Sequence, residues 1–213
     1  MPWPRRRAAS TWSLLVALGV TGLLSACAGV TPPPAGALER ARAARTYSAS
    51  IRVSLKSPTL RGRARAIVAF ARPDALRLEI PGPGGARCIA VAAGPRLSAV
   101  FPAERARWEG MSTAEEMEAL LGVRLAPPEL MDLLVGVPSK RFADYRASWG
   151  ERLPRRLSAT LDDGSRIEAV VDAADLDPDL PAAAFEEPPS AGFRTVDAAE
   201  ARRLLGIRSR NVR

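Results

Sequence analysis

Between Tyr47 and Phe70 the apolar residues recur at every second position, and this period constrains the fold more than any other feature of the chain. Tyr47, Ala49, Ile51, Val53 and Leu55 alternate with Ser48, Ser50, Arg52, Ser54 and Lys56; after Ser57-Pro58, Gly62, Ala64, Ala66, Val68 and Phe70 alternate against Arg61, Arg63 and Arg65. A period of two puts each set on one face of an extended strand, so the two stretches are expected to be half-buried antiparallel strands. Leu76, Leu78 and Ile80 continue the apolar face after the turn signal Arg72-Pro73-Asp74-Ala75. Pro81-Gly82-Pro83-Gly84-Gly85 and Gly94-Pro95 then separate further strands at Arg87 to Ala92, at Arg96 to Phe101 and around Trp108. Short strands punctuated in this way predict an antiparallel meander.

The period changes after Met111. Ser112 with Glu115 has the spacing of a capping box, and Met117, Leu120 and Leu121 fall on one helical face before Gly122 stops the helix. Pro127-Pro128 starts a second helix lined by Leu130, Met131 and Leu134, and Gly136-Val137-Pro138 ends it. Strands resume at Phe142 to Trp149, Leu153 to Leu161 and, past the turn Asp162-Asp163-Gly164-Ser165, Arg166 to Val171. Pro178, Pro181, Pro188 and Pro189 predict an extended exit, and Asp197 with Glu200 caps a last helix ahead of a basic tail that is expected to fray. The expected fold class is mainly β within α+β: one curved antiparallel sheet plus two short helices. No internal repeat is visible, which argues against a solenoid or propeller.

The N-terminus obeys a different logic. Arg5-Arg6-Arg7 is followed by the apolar run Leu14 to Leu24, which is too short to span a bilayer, and then by Leu24-Ser25-Ala26-Cys27. This reads as an export signal, and Leu-Ser-Ala-Cys resembles the lipobox of bacterial lipoproteins. The resemblance implies cleavage before Cys27, a diacylglycerol on its thiol and an acyl group such as palmitate on its new amine. Two or three acyl chains make a durable anchor where one does not. Removal of residues 1–26 takes away three arginines and no acids, so the formal charge falls from +8 to +5. Residues 27–45, with prolines 32 to 34 and a short helix from Leu38 to Arg45 that exposes its arginines, are expected to form a lipidated tether. The residue after Cys27 is Ala28; in enterobacterial lipoproteins an aspartate there resembles an inner-membrane retention mark, so alanine implies passage to the outer membrane. Cys88 then has no partner within the chain, so the domain is expected to fold without disulfides, with Cys88 as a buried, inert thiol on an apolar strand.

The order of parts resembles the lipoprotein-localisation family of LolB and LolA. The likeness rests on Ile80-Pro81-Gly82-Pro83-Gly84-Gly85, Ala119-Leu120-Leu121-Gly122, Gly136-Val137-Pro138 and the run from Asp144-Tyr145 to Leu153-Pro154-Arg155-Arg156-Leu157. It covers most of residues 46–186. It implies an open antiparallel half-barrel domain over 46–196 with the two short helices across its concave face; the C-terminal helix and tail over 197–213 follow it. It also implies a space between sheet and helices that takes the acyl chains of lipoproteins or lipids. Ile51, Val53, Leu55, Ala66, Val68, Phe70, Leu78, Ile80, Leu97, Phe101, Met117, Leu121 and Leu134 would line that space. Gly82, Pro83, Gly84 and Gly85 would form the family's protruding loop, in which Gly84 stands where LolB carries an exposed leucine. A strand pair expected in that family between Pro138 and Phe142 is missing, which shortens the sheet by about one hairpin.

Alternation alone fits a filled core as well as a lipid cavity. A filled core would suit a cell-envelope scaffold or assembly lipoprotein. Against an enzyme, the chain contains no histidine, shows no activated nucleophile, phosphate loop or metal-ligand cluster, and implies no cofactor. Asp162-Asp163 and Glu186-Glu187 lie in turns, where solvated carboxylates are commoner than a catalytic pair. The arginines on the polar faces of strands read as solvation, not as a nucleic-acid site. The expected partners are the membrane through the anchor, acyl chains, and a periplasmic carrier protein, at the periplasmic face of the outer membrane.

Overall fold

The computed structural model describes residues 31–58 and 60–209; the signal stretch, Cys27 and the last four residues lie outside it. Strands β1 (Thr46–Lys56), β2 (Leu60–Ala71), β3 (Ala75–Gly82), β4 (Gly85–Ala93), β5 (Arg96–Phe101) and β6 (Ala106–Met111) form the expected meander. Strands β7 (Phe142–Trp149), β8 (Pro154–Leu161) and β9 (Arg166–Leu176) form a second, which joins the first where β9 lies antiparallel to β1. Two short strands complete the set, β10 (Arg194–Thr195) parallel to β6 and β11 (Arg208–Ser209) antiparallel to the start of β2. The sheet runs β10-β6-β5-β4-β3-β2-β1-β9-β8-β7. Its two outer strands do not pair with each other, so it is an open, mostly antiparallel half-barrel. No strand interrupts residues 135–141, where the family resemblance would place another hairpin.

Among the described residues four helices accompany the sheet: α1 (Ala37–Ala43), α2 (Ala114–Leu121), α3 (Pro127–Leu134) and α4 (Ala198–Leu205). The inward residues of the strands, Tyr47, Ile51, Val68, Phe70 and Phe101 among them, share one core with Met117 and Leu120 of α2, Met131 and Leu134 of α3, and Ala201 and Leu205 of α4. Three helices therefore cover the concave face where two were expected. The third is α4: Asp197 Oδ1 accepts from the Glu200 N–H at 2.7 Å, and that cap lays Ala201 and Leu205 onto the core.

Other expectations need correction. In α2 the cap is Thr113, whose hydroxyl accepts from the Glu116 N–H at 3.3 Å. Ser112 spends its own N–H on the Pro95 carbonyl, and Glu115 turns to Arg124 at 2.8 Å. Strand β9 runs to Leu176 and not Val171, because a bulge opposite Ser50 and Ile51 absorbs Asp172, whose carboxylate takes Arg52 at 2.7 Å. The exit beyond Pro178 is not extended throughout; it forms a short 3-10 turn at Ala182–Phe185 and then β10. Ala37 and Ala41 of α1 are fully buried in the core, so packed structure begins inside the stretch read as a tether.

Candidate functional site

The site grows out of the register between β1 and β2. Ile51, Val53 and Leu55 face Ala66, Ala64 and Gly62, so each step along the hairpin sets a branched side chain against a smaller one. The same asymmetry recurs on the far side, where Leu78 and Ile80 of β3 face Ala90 and Cys88 of β4. Small inward residues on β2 and β4 leave space above them. Met117 and Leu121 of α2 and Leu130 and Leu134 of α3 roof that space without filling it, and Val123, Leu125 and Ile167 close one end. The result is an apolar cavity of about 140 Å³. This is close to the roughly 150 Å³ of an engineered cavity that stays dry and admits benzene.

A break in the sheet forms one wall. Strand β3 pairs with β2 only from Ala71 back to Ile67, opposite Glu79. The next residues of β3 are Ile80 and Pro81, where the ladder to β4 also shifts, and proline has no N–H to donate. Residues 62–66 of β2 are thus left without a strand on this side until β11 pairs with Leu60 and Arg61. The C-terminal segment fills the break: Leu205, Gly206 and Ile207 line the cavity here. Gly206 ends α4 in the left-handed region at φ 79°, which turns the chain from the helix into β11.

Nine of the thirteen residues expected on the cavity wall are there: Ile51, Val53, Leu55, Ala66, Leu78, Ile80, Met117, Leu121 and Leu134. Val68, Phe70, Leu97 and Phe101 are not; they are buried in filled core, with the Phe70 ring stacked on Tyr47 at 5.2 Å between centroids. Among the residues that sequence reasoning missed are the small floor positions Gly62, Ala64, Cys88 and Ala90, the end and roof residues Val123, Leu125, Leu130 and Ile167, and the C-terminal Leu205 and Ile207. The signal for the floor was the run of alternate small residues on β2 and β4. For the tail it was Leu205 in the last turn of a capped helix and Ile207 just beyond it.

Cys88 is 1% exposed, and burial, helped by the Glu104 carboxylate, pushes its thiol up to about 12. It is an apolar wall group, not a nucleophile. The Gly82 to Gly85 stretch is a two-residue hairpin turn: β3 runs to Gly82, β4 begins at Gly85, and Gly84 sits at φ 77° with Pro83 before it. The turn is exposed but carries no apolar side chain beyond Pro83. Cys27 lies outside the described residues.

No protein-family model matches the chain, and no curated protein matches it. Among solved structures it is similar to an uncharacterized conserved protein from Thermus thermophilus, at 14% identity over 75% of this chain and 96% of that one, with a TM-score of 0.44. It is similar to a LolA superfamily protein from Nitrosomonas europaea, at 12% identity over 71% and 96%, with a TM-score of 0.43. A putative outer membrane lipoprotein-sorting protein domain from Vibrio parahaemolyticus matches at 8% identity over 70% and 95%, with a TM-score of 0.37. The cavity, and not these distant likenesses, carries the functional reading.

Proposed function

We propose that the chain is a lipid-anchored lipoprotein of the bacterial envelope whose half-barrel binds the acyl chains of lipids or of lipoproteins, in the manner of a lipoprotein-localisation factor. The observation that carries this reading is the apolar cavity between the sheet and α2, α3 and α4. At about 30 Å³ for a water-sized group, 140 Å³ takes roughly five methylenes. Their burial is worth about 4 kcal/mol, which alone corresponds to a dissociation constant near the millimolar range. Tight binding of a long chain therefore requires the walls to part. The break between β2 and β3 is the natural place, because among the described residues the C-terminal segment there pairs with the sheet through just the short strand β11. Acyl chains enter on this side as Ile207 withdraws.

Cys27 holds the domain at the periplasmic face of the outer membrane, and a periplasmic carrier protein hands over the cargo. The chain performs no chemistry on it. Native mass spectrometry of the chain beginning at Thr31, which contains both core clusters entire, tests the reading. Purified without detergent, it should carry a fraction with one bound lipid. Bare protein that also takes up no dodecanoate would favour the envelope scaffold.

A further inference from the structure

At the end of the β1–β2 hairpin a second recess opens beside the cavity. It measures about 640 Å³, is open to solvent, and shares Leu55, Gly62, Arg63 and Gly206 with the cavity wall. Its polar lining is Ser54, Lys56, Ser57, Arg61 and Arg63, without a carboxylate. The register sets Lys56 directly opposite Arg61, an arrangement of like charges that destabilises a sheet unless something neutralises it. No acid among the described residues does so. Lys56, Arg61 and Arg63 enter no ion pair there, while most of the acids of neighbouring strands are already engaged: Asp172 by Arg52, Glu168 by Arg166 and Glu79 by Arg77. A fourth cation approaches from across the break, since Arg87 Nη1 would lie 3.6 Å from a β-carbon at Gly206.

We propose that this recess is a head-group site, and that the amphiphile whose chain enters the cavity carries a negative head, a carboxylate or a phosphate. The inference rests on the acyl-chain reading above and adds the charge of the ligand to it. An apolar space that abuts a recess with unpaired cations matches a molecule with an apolar tail and an anionic end. With the tail between sheet and helices, the head emerges past Gly62 among Lys56, Arg61 and Arg63. Guanidinium groups suit both heads, because their planar fork pairs with two oxygens at once. An uncharged head would leave the cations as they are and gain nothing from them.

The test uses two matched pairs of ligands on the chain beginning at Thr31. Dodecanoate is compared with dodecanol, and dioctanoyl phosphatidylglycerol with dioctanoyl phosphatidylcholine, by displacement of a fluorescent fatty acid. The anionic member of at least one pair should bind about tenfold more tightly than its counterpart, in line with a charge-assisted contact. The pair that shows the preference identifies the head as carboxylate or phosphate. Lys56→Gln combined with Arg61→Gln should sharply reduce the preference, leave dodecanol binding unchanged and not lower the melting temperature, since both side chains are exposed and neither lines the cavity. Raising salt should weaken the anion and spare the alcohol. Equal binding within both pairs overturns the head-group site while the cavity reading stands. Failure of all four ligands to bind overturns both.

Discussion

Ile207 closes over Gly62: a β-carbon at Gly62 would stand 3.5 Å from Cγ1 of Ile207 and 4.0 Å from its Cβ. The C-terminal segment thus lies against the part of β2 that has no neighbouring strand. A Cβ separation of 4.0 Å lies within the 3.5–4.5 Å that a disulfide spans. Gly62→Cys with Ile207→Cys should therefore cross-link on oxidation. The bond is expected to stabilise the fold by about 2–4 kcal/mol and to slow loading of a fluorescent fatty acid, with both effects reversed by reductant. Loading at the unlinked rate in the oxidised protein would place the entrance elsewhere.

The cap of α4 offers a gentler handle on the same segment. Asp197→Ala removes the hydrogen bond to the Glu200 N–H and should cost about 1 kcal/mol, a fall of roughly 2–4 °C in melting temperature for a chain of this size. Because α4 carries Leu205 to the cavity wall, the variant should also load and release the fatty acid faster. A melting curve and a stopped-flow trace check the two parts separately.

Much of this architecture was legible in the sequence. The period of two located the long strands, the prolines and glycines their turns, and the Asp197 cap its helix. Period, however, assigns a face and not what stands opposite it. Val68 and Phe70 share a face with Ala66, yet Phe70, stacked on its cross-strand neighbour Tyr47, lies in filled core while helices only roof the space above Ala66. Nothing local to β2 separates the two cases, since the difference lies in partners distant along the chain. The break in the sheet was hidden for a similar reason: Pro81 reads as a turn residue, and its consequence for Gly62 to Ala66 appears only once β3 is paired. The basic tail was expected to fray, yet Arg208 and Ser209 pair with Arg61 and Leu60 of β2, a long-range contact that the tail's own composition does not announce.

Cys88 supplies a check on burial. In the fold its thiol is pushed up to about 12, against about 8.5 in an unfolded chain. The protonated form is favoured in the folded state, so this contribution to stability is complete below about pH 8.5 and lost as the pH rises above it. At pH 8 a thiol reagent should label the native chain beginning at Thr31 far more slowly than the denatured chain, which it should label at once. Rapid native labelling would mean an open floor at β4.

The proposed membrane attachment rests on lipidation of Cys27. Cys27→Ser should leave the signal uncleaved and unacylated, detected by mass and by the loss of labelled palmitate. A variant that still carries palmitate at the wild-type mass would remove the anchor from the account.

The central claim is that the space above β2 admits acyl chain, and Ala66→Leu tests it most directly. Ala66 stands on the cavity floor opposite Ile51, so a leucine there occupies the volume that a chain would take. One titration with a fluorescent fatty acid and one melting curve decide the matter. The expected result is binding by the native chain that falls at least severalfold in the variant, at unchanged or higher melting temperature. A variant destabilised by about 1–3 kcal/mol, as overpacking of dense core costs, in a protein that never bound the probe, would contradict it.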